Sequence, residues 1–87
     1  MDHLNITHDQ AQQTFSAVLE EGTAHLDYTL HDDTIRFTHT YTPHALRGRG
    51  IAAQLVDAGL AYAQSHNLTP IPVCSYVVAH MNKTNSK

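Results

Sequence analysis

The sequence predicts an α+β domain, and three observations carry that reading. Residues 23–30 and 34–42 alternate apolar and polar side chains with a period of two. Residues 50–66 instead repeat their apolar positions at helical spacing. Between the two patterns lies a short basic loop, Arg47-Gly48-Arg49-Gly50. Alternation marks a half-buried strand, and a recurrence every three to four residues marks a helix with one buried face.

Taken in order, residues 1–13 are polar and weakly patterned and read as a ragged start. Residues 14–20 form the first expected strand, with Phe15, Ala17 and Leu19 on one face, and Glu21-Gly22 supplies a turn. In the second strand, residues 23–30, Ala24, Leu26, Tyr28 and Leu30 face one way and Thr23, His25, Asp27 and Thr29 the other. His31-Asp32-Asp33 makes the next turn. The third strand, residues 34–42, keeps Ile35, Phe37, His39 and Tyr41 in phase, which places His39 on a face that is buried or lines a cleft. Three strands on short turns make an antiparallel meander.

The helix expected over residues 50–66 carries Ile51, Ala52, Leu55, Val56, Gly59, Leu60 and Ala63 in one stripe. Its small residues, among them Ala52, Ala58, Gly59 and Ala63, permit a close approach to the sheet. Asn67 suits a left-handed cap, Leu68 closes over the helix end, and Pro70 forbids continuation. Residues 69–74 read as a fourth strand, brought parallel to and beside the third by a right-handed crossover. Pro70 and Pro72 both remove an N–H from the same edge of that strand. That edge is either the outer edge of the sheet or one splayed away from its neighbour. Ser75 is an N-cap for a last short helix reaching about Met81, and residues 82–87 are expected to fray. With no repeat or linker in the chain, residues 1–87 read as one domain.

At 87 residues the chain can bury roughly 60–65% of its unfolded surface. Its formal charge of −3 lacks the basic footprint of a nucleic-acid binder. Of its five Lys and Arg residues, Arg47 and Arg49 share the glycine loop, so positive charge is scarce and local. That distribution suits one anionic ligand. Cys74 is the only cysteine, which excludes an internal disulfide and fits a reducing compartment. The N-terminal residues show no basic region followed by an apolar run, and no segment is apolar enough to span a membrane. A cytoplasmic location, without nucleic-acid or membrane partners, is therefore expected. A monomer is compatible with the composition, which does not decide the oligomeric state.

The loop carries the first functional signal. Gly48 and Gly50 permit positive φ and place no Cβ before a ligand. Successive loop amides and the N-terminus of the following helix converge on one spot of positive potential, which Arg47 and Arg49 strengthen. This is a candidate phosphate-binding loop, whose alternative is an ordinary strand-to-helix connection. Cys74, at the end of the fourth strand and just before a helix N-terminus, lies where a thiol pKa falls below about 8.5; packing is its alternative role. His39 is either a satisfied core histidine or a general base, with an ordinary pKa of about 6.5. The eight histidines form no H-x-x-x-H pair or Cys/His cluster, so no metal is expected.

Three segments in order and spacing resemble the very small branch of the GNAT (GCN5-related) N-acetyltransferase superfamily. They are Thr40-Tyr41-Thr42-Pro43, Gly48-Arg49-Gly50-Ile51-Ala52 and Pro72-Val73-Cys74-Ser75-Tyr76-Val77. Arg47-Gly48-Arg49-Gly50-Ile51-Ala52 also fits the superfamily's R/Q-x-x-G-x-G/A pyrophosphate loop. The resemblance covers about residues 14–80. Thr42 stands where the branch usually has valine, and residues 81–87 depart from its usual ending.

The resemblance implies a minimal GNAT-like fold in which the strands flanking the loop and helix splay apart around the pantetheine arm of acyl-CoA. It implies that the backbone of Thr40, Tyr41 and Thr42 bonds the pantetheine amides and that Arg47, Gly48, Arg49, Gly50, Ile51 and Ala52 take the pyrophosphate. Ser75 and Tyr76 complete the implied cofactor contacts, Tyr76 either as a donor to the leaving thiolate or, by its simpler role, as a packing residue. Cys74 is implied as the active-site residue, with His39 beside the acyl group. The expected function is transfer of an acyl group, most simply acetyl from acetyl-CoA, to an amine that the sequence does not identify. The competing expectation is a CoA-binding or protein-interaction module without turnover.

Overall fold

The computed structural model describes residues 5–85, which form one five-stranded mixed sheet with two helices. In chain order the strands are β1 (Ile6–Asp9), β2 (Thr14–Leu19), β3 (Gly22–His31) and β4 (Thr34–Tyr41). A single 3-10 turn (His44–Leu46) and the loop lead into α1 (Ile51–Ser65), followed by β5 (Thr69–Pro72) and α2 (Ser75–Asn85). The strands lie side by side in sequence order, antiparallel from β1 to β4, with β5 parallel to β4.

The inner face of the sheet and α1 make the core. Phe15, Ala17, Ala24, Leu26, Tyr28, Ile35 and Phe37 meet Ile51, Leu55, Val56 and Ala63, and Val77 of α2 completes the cluster. Each large side chain so buried contributes roughly 1.5–3 kcal/mol. Gly59 is the point of closest approach: a Cβ there would lie 2.7 Å from Cε1 of Phe37. Asn67 adopts the left-handed conformation after α1 (φ 55°), and Leu68 N–H bonds back to the Ala63 carbonyl at 2.8 Å, as the cap residues predicted.

Two features differ from the sequence expectation, and a third decides between alternatives it left open. First, the supposedly ragged start contains β1. Its pairing with β2 aligns Ile6 with Ala17 and His8 with Phe15, and the Asp9 carboxylate accepts from Gln12 N–H to close the turn. His8 stacks on Phe15 at 4.0 Å, bonds the Tyr28 hydroxyl and meets Tyr62 edge-on, which pins the strand to the C-terminal half of α1. Four residues with only Ile6 and His8 facing inward are too short and polar to register as a strand in isolation.

Second, the third predicted strand does not keep its phase. Asp27 pairs with His39 but Tyr28 pairs with Phe37, so Thr38 is an extra residue that bulges out of β4. A bulge reverses the in-out alternation beyond it. Ile35 and Phe37 are buried, whereas Thr40 takes the inward position opposite Leu26. His39 and Tyr41 are exposed on the outer face, so the placement of His39 in phase with Phe37 is corrected. Leu30, at the far end of β3, is 42% exposed rather than core.

Third, the two prolines do not face a splay. Thr69 N–H bonds the Asp33 carbonyl at 2.8 Å and Val73 N–H the Phe37 carbonyl at 3.1 Å, so alternate residues donate toward β4. Pro70 and Pro72 therefore present their missing donors to the outer edge, where they discourage pairing with another chain. The strands nevertheless part company. The β4–β5 ladder stops at Phe37 and Pro72, while β4 runs on through its bulge to Tyr41 and α2 starts at Ser75. The last helix extends beyond the expected Met81, to Asn85. Residues 86 and 87 lie outside the described residues. Among the described residues no helix is long and apolar enough to cross a membrane.

Candidate functional site

Where β4 and β5 separate, a cleft of about 430 Å³ opens between the end of β4, the loop and the start of the two helices. Thr40, Thr42, Leu46, Arg47, Gly48, Gly50, Ile51, Ala52 and Tyr76 line it. Leu46, absent from the expected set, is fully buried and forms part of its floor.

The loop has the predicted conformation. Gly48 (φ 81°) and Gly50 (φ 75°) are both left-handed, and a Cβ on either would meet nothing within 4 Å. Gly50 is also the N-cap of α1, with no side-chain cap and no acidic residue in the first turn. The bond from Gln54 N–H to the Gly50 carbonyl, at 3.2 Å, opens the helix. The amides of Ile51, Ala52 and Ala53 thus precede the first intrahelical bond and have no acceptor within the helix. An uncapped helix start facing a cleft favours an anion by charge and by hydrogen bonding.

The two arginines are not equivalent. Arg47 lines the cleft, and its Nε donates to the Thr42 carbonyl at 3.1 Å, which bends the loop back on the end of β4. Arg49 turns away and pairs with the Glu21 carboxylate at 3.2 Å, tying the loop to the β2–β3 turn.

Cys74 is half-buried at the start of α2: its carbonyl accepts the first helical bond from Val78 N–H, and its own N–H donates to Phe37. Burial pushes the thiol pKa up, but a contact from the Thr40 hydroxyl and the amides of Tyr76, Val77 and Thr40 outweigh it, and the net shift is downward. The Thr40 hydroxyl is itself buried and finds no partner of standard hydrogen-bond geometry. It is nonetheless close enough to Sγ to favour the thiolate. Cys74 thus sits behind the cleft wall made by Thr40 and Tyr76. Burial, aided by the Asp57 carboxylate, raises the Tyr76 phenol pKa and keeps it a proton donor.

Of the expected residues, the structure gathers Thr40, Thr42, Arg47, Gly48, Gly50, Ile51, Ala52 and Tyr76 around one cleft, with Cys74 against it. Ser75 is exposed at the first turn of α2 and Tyr41 points to the outer face. His39 lies on that outer face too, its ring 5.9 Å from that of His25. The role of the Thr40 hydroxyl was not legible from the sequence, because only the bulge turns it inward. On the outer face Asp27 accepts from Thr14 at 2.7 Å and bonds His25 at 3.0 Å. The strand alternation already put His25 and Asp27 together, but nothing marked them as more than solvated. Among the described residues no group of three or more His, Cys, Asp or Glu side chains is placed to hold a metal ion.

A mixed sheet whose parallel strands part in front of a glycine loop and an uncapped helix defines the class of protein: an α+β domain of the GCN5-related type. Residues 14–87 match the GCN5-related N-acetyl-transferase family, and the chain belongs to that family. The match runs past residue 80, where the resemblance read from the sequence ended. A GCN5-like protein of Staphylococcus aureus, whose solution structure was determined by NMR, is similar in fold with a TM-score of 0.76. It shares 27% identity over 99% of this chain and 85% of its own.

Proposed function

We propose that this chain is an acyl-CoA-dependent N-acyltransferase that uses acetyl-CoA and acts on an amine. The observation that carries the reading is the pairing of an uncapped, glycine-led helix start with a cleft at the point where β4 and β5 part. The loop amides from Arg47 to Ala52 hold the pyrophosphate, and Arg47 adds charge. The pantetheine arm lies in the gap, against the backbone of Thr40 and Tyr41 and beside Tyr76. The Thr42 carbonyl already accepts from Arg47, so the Thr42 contribution is its N–H and side chain.

In this reading each candidate group has a separate task. The amine nitrogen, once deprotonated, attacks the thioester carbonyl; the C–N bond forms, the C–S bond breaks, and CoA leaves as a thiolate that takes up a proton. Tyr76, which lines the cleft, donates to that sulfur in this reading. His39, on the outer side of β4, is the base that relieves an amine arriving from that side. Cys74, on the inner side, touches the acyl end of the cofactor as a thiol with raised thiolate content. Its covalent acylation would require acetyl-CoA alone to leave an acetyl group on the protein.

Calorimetric titration with acetyl-CoA, CoA and ATP, followed by assay of CoA release over a panel of amines, tests this reading. One site that prefers CoA to ATP, and CoA release that depends on an amine, are expected. CoA binding without release by any amine would leave a CoA-binding module. Absence of CoA binding would sink the reading altogether.

A further inference from the structure

One polar contact between the two helices belongs neither to the cleft nor to the core. Asp57 stands on α1 and His80 on α2, and His80 Nε2 donates to the Asp57 carboxylate at 2.8 Å. The imidazole is well buried, its side chain 13% exposed, whereas that of Asp57 is 62% exposed. One turn before His80, the Tyr76 ring lies nearly parallel to the imidazole, with 6.3 Å between centroids and 11° between planes. Tyr76 in turn lines the cleft. A chain of contacts thus runs from α1 through His80 to the cleft wall.

A tie between helices would not require these groups. α2 is already fastened to the core by Val77, fully buried, and by Cys74 and Met81, partly so. An apolar side chain in place of His80 would join the helices at least as well, since a buried polar pair repays its desolvation only through good geometry. What the pair adds is a negative charge held in place. The Asp57 carboxylate, largely in water, turns away where no donor holds it, and His80 keeps it against α2. The charged and titratable groups that face the Tyr76 phenol are this carboxylate, His80 itself and Arg47 on the same cleft. Burial first, and the Asp57 carboxylate second, raise the phenol pKa.

We propose that Asp57 and His80 are positioning residues for acyl transfer, holding the Tyr76 phenol at the cleft wall through one stacked ring and one fixed carboxylate. The imidazole has two parts in this: its face orients the phenol ring, and its N–H fixes the carboxylate beside that ring. The fixed charge disfavours tyrosinate, so the phenol keeps its proton until the departing CoA thiolate takes it. The proton then passes from Tyr76 Oη to sulfur, and the phenolate regains one from solvent, which reaches the part-exposed ring. The role rests on the acyl-transfer reading above, in which Tyr76 donates to the leaving sulfur, so the state of the phenol is measured apart from turnover.

The full chain, labelled with ¹³C at tyrosine Cζ, is titrated by NMR across the alkaline range without cofactor, and Tyr76→Phe assigns the resonance. Tyr76 is expected to ionise above the ordinary phenol value of about 10. Asp57→Asn, at an exposed position that should tolerate it, keeps the acceptor oxygen but removes the charge. His80→Phe keeps a ring but removes the donor. Each should shift the ionisation of Tyr76 downward, whereas His80→Gln retains an N–H donor and should hold it near wild type. In amine-dependent CoA release the first two should lower kcat by about tenfold, with KM for acetyl-CoA unchanged, short of the roughly 100-fold that a full ångström of misplacement costs. His80→Gln should restore most of that loss. A pair that merely ties the helices would lower Tm in His80→Phe and leave the Tyr76 ionisation of both variants where it was, and that result overturns the proposal. So does a shifted phenol with kcat unchanged. A wild-type chain that releases no CoA with any amine would strike the acyl-transfer reading alone, and the phenol titration then decides whether the pair positions Tyr76.

Discussion

The amide of Cys74 donates to the carbonyl of Phe37 at 3.1 Å. Phe37 is the last residue of β4 paired with β5, and the same carbonyl also accepts from Val73. This contact closes the ladder and anchors the thiol at the base of the gap. It allows the thiol and the cleft to share one short stretch of backbone.

The thiol should titrate early, and Thr40 should be one reason. Alkylation of Cys74 by iodoacetamide should reach half its maximal rate below the usual cysteine pKa of about 8.5. Thr40→Val removes a group that favours the thiolate and should move that midpoint to higher pH, with the fold preserved. Saturating acetyl-CoA should protect the thiol. An identical midpoint in wild type and variant would take Thr40 out of the account.

Gly50 tests the anion site. Its φ of 75° costs another residue roughly 1–2 kcal/mol, but there is room for a Cβ, so variants should fold. Gly50→Asp places a carboxylate at the helix start and should weaken CoA by at least about tenfold, or 1.4 kcal/mol. Calorimetry on a folded Gly50→Asp chain showing wild-type affinity would remove the loop from cofactor binding.

The unequal arginines predict unequal salt effects. Arg47→Gln should weaken CoA and flatten the salt dependence of its binding, because Arg47 borders the cleft. Arg49→Gln should do less, since Arg49 is held by Glu21. Glu21→Gln should release Arg49 and tighten CoA slightly. Arg49→Gln and Glu21→Gln should change stability little, as both members of that pair are exposed. Equal salt slopes for the two arginine variants would contradict this division.

Gly59 sets the distance between α1 and the sheet. Gly59→Ala drives a methyl against Cε1 of Phe37 at 2.7 Å and Cδ2 of Leu26 at 3.1 Å. Overpacking of this kind costs about 1–3 kcal/mol, which outweighs the gain in helix propensity of about 1 kcal/mol. A lowered Tm is expected. A raised one would mean that the helix can move outward freely.

Acid should loosen the N-terminal strand. Burial, and then the nearby His66, lower the His8 pKa below its ordinary value of about 6.5, with Asp9 opposing. The neutral ring is thus preferred in the fold. Its contribution is complete above the unfolded pKa and is lost as pH falls through that value and then through the folded one. Denaturant midpoints at pH 7.5 and 5 should therefore differ less in His8→Phe than in wild type. Hydrogen exchange should show residues 6–9 opening first at low pH.

The order of strands, loop and helix was legible in the sequence because each rests on local rules. The alternation in β2 and β3, the stripe from Ile51 to Ala63, the Asn67 cap and the positive φ at Gly48 and Gly50 concern neighbours along the chain. The loop's conformation is local too, since a glycine pair before a helix start needs no help from elsewhere.

What remained hidden depends on groups far apart in sequence. β1 exists because β2 offers a ladder and α1 offers Tyr62 to His8. The Thr38 bulge is a mismatch in register between two strands and leaves no mark in either alone, yet it turns Thr40 inward to Cys74 and His39 outward. Pro70 and Pro72 announced an edge without a ladder, but the partner strand decided that it was the outer one. The sequence by itself thus determined β2 to β5, the two helices and the left-handed glycines of the loop, through steric and hydrogen-bonding preferences that act within a few residues. Tertiary pairing alone decided on which side of the sheet each candidate catalytic group stands, because one extra residue in a strand reverses every side chain beyond it.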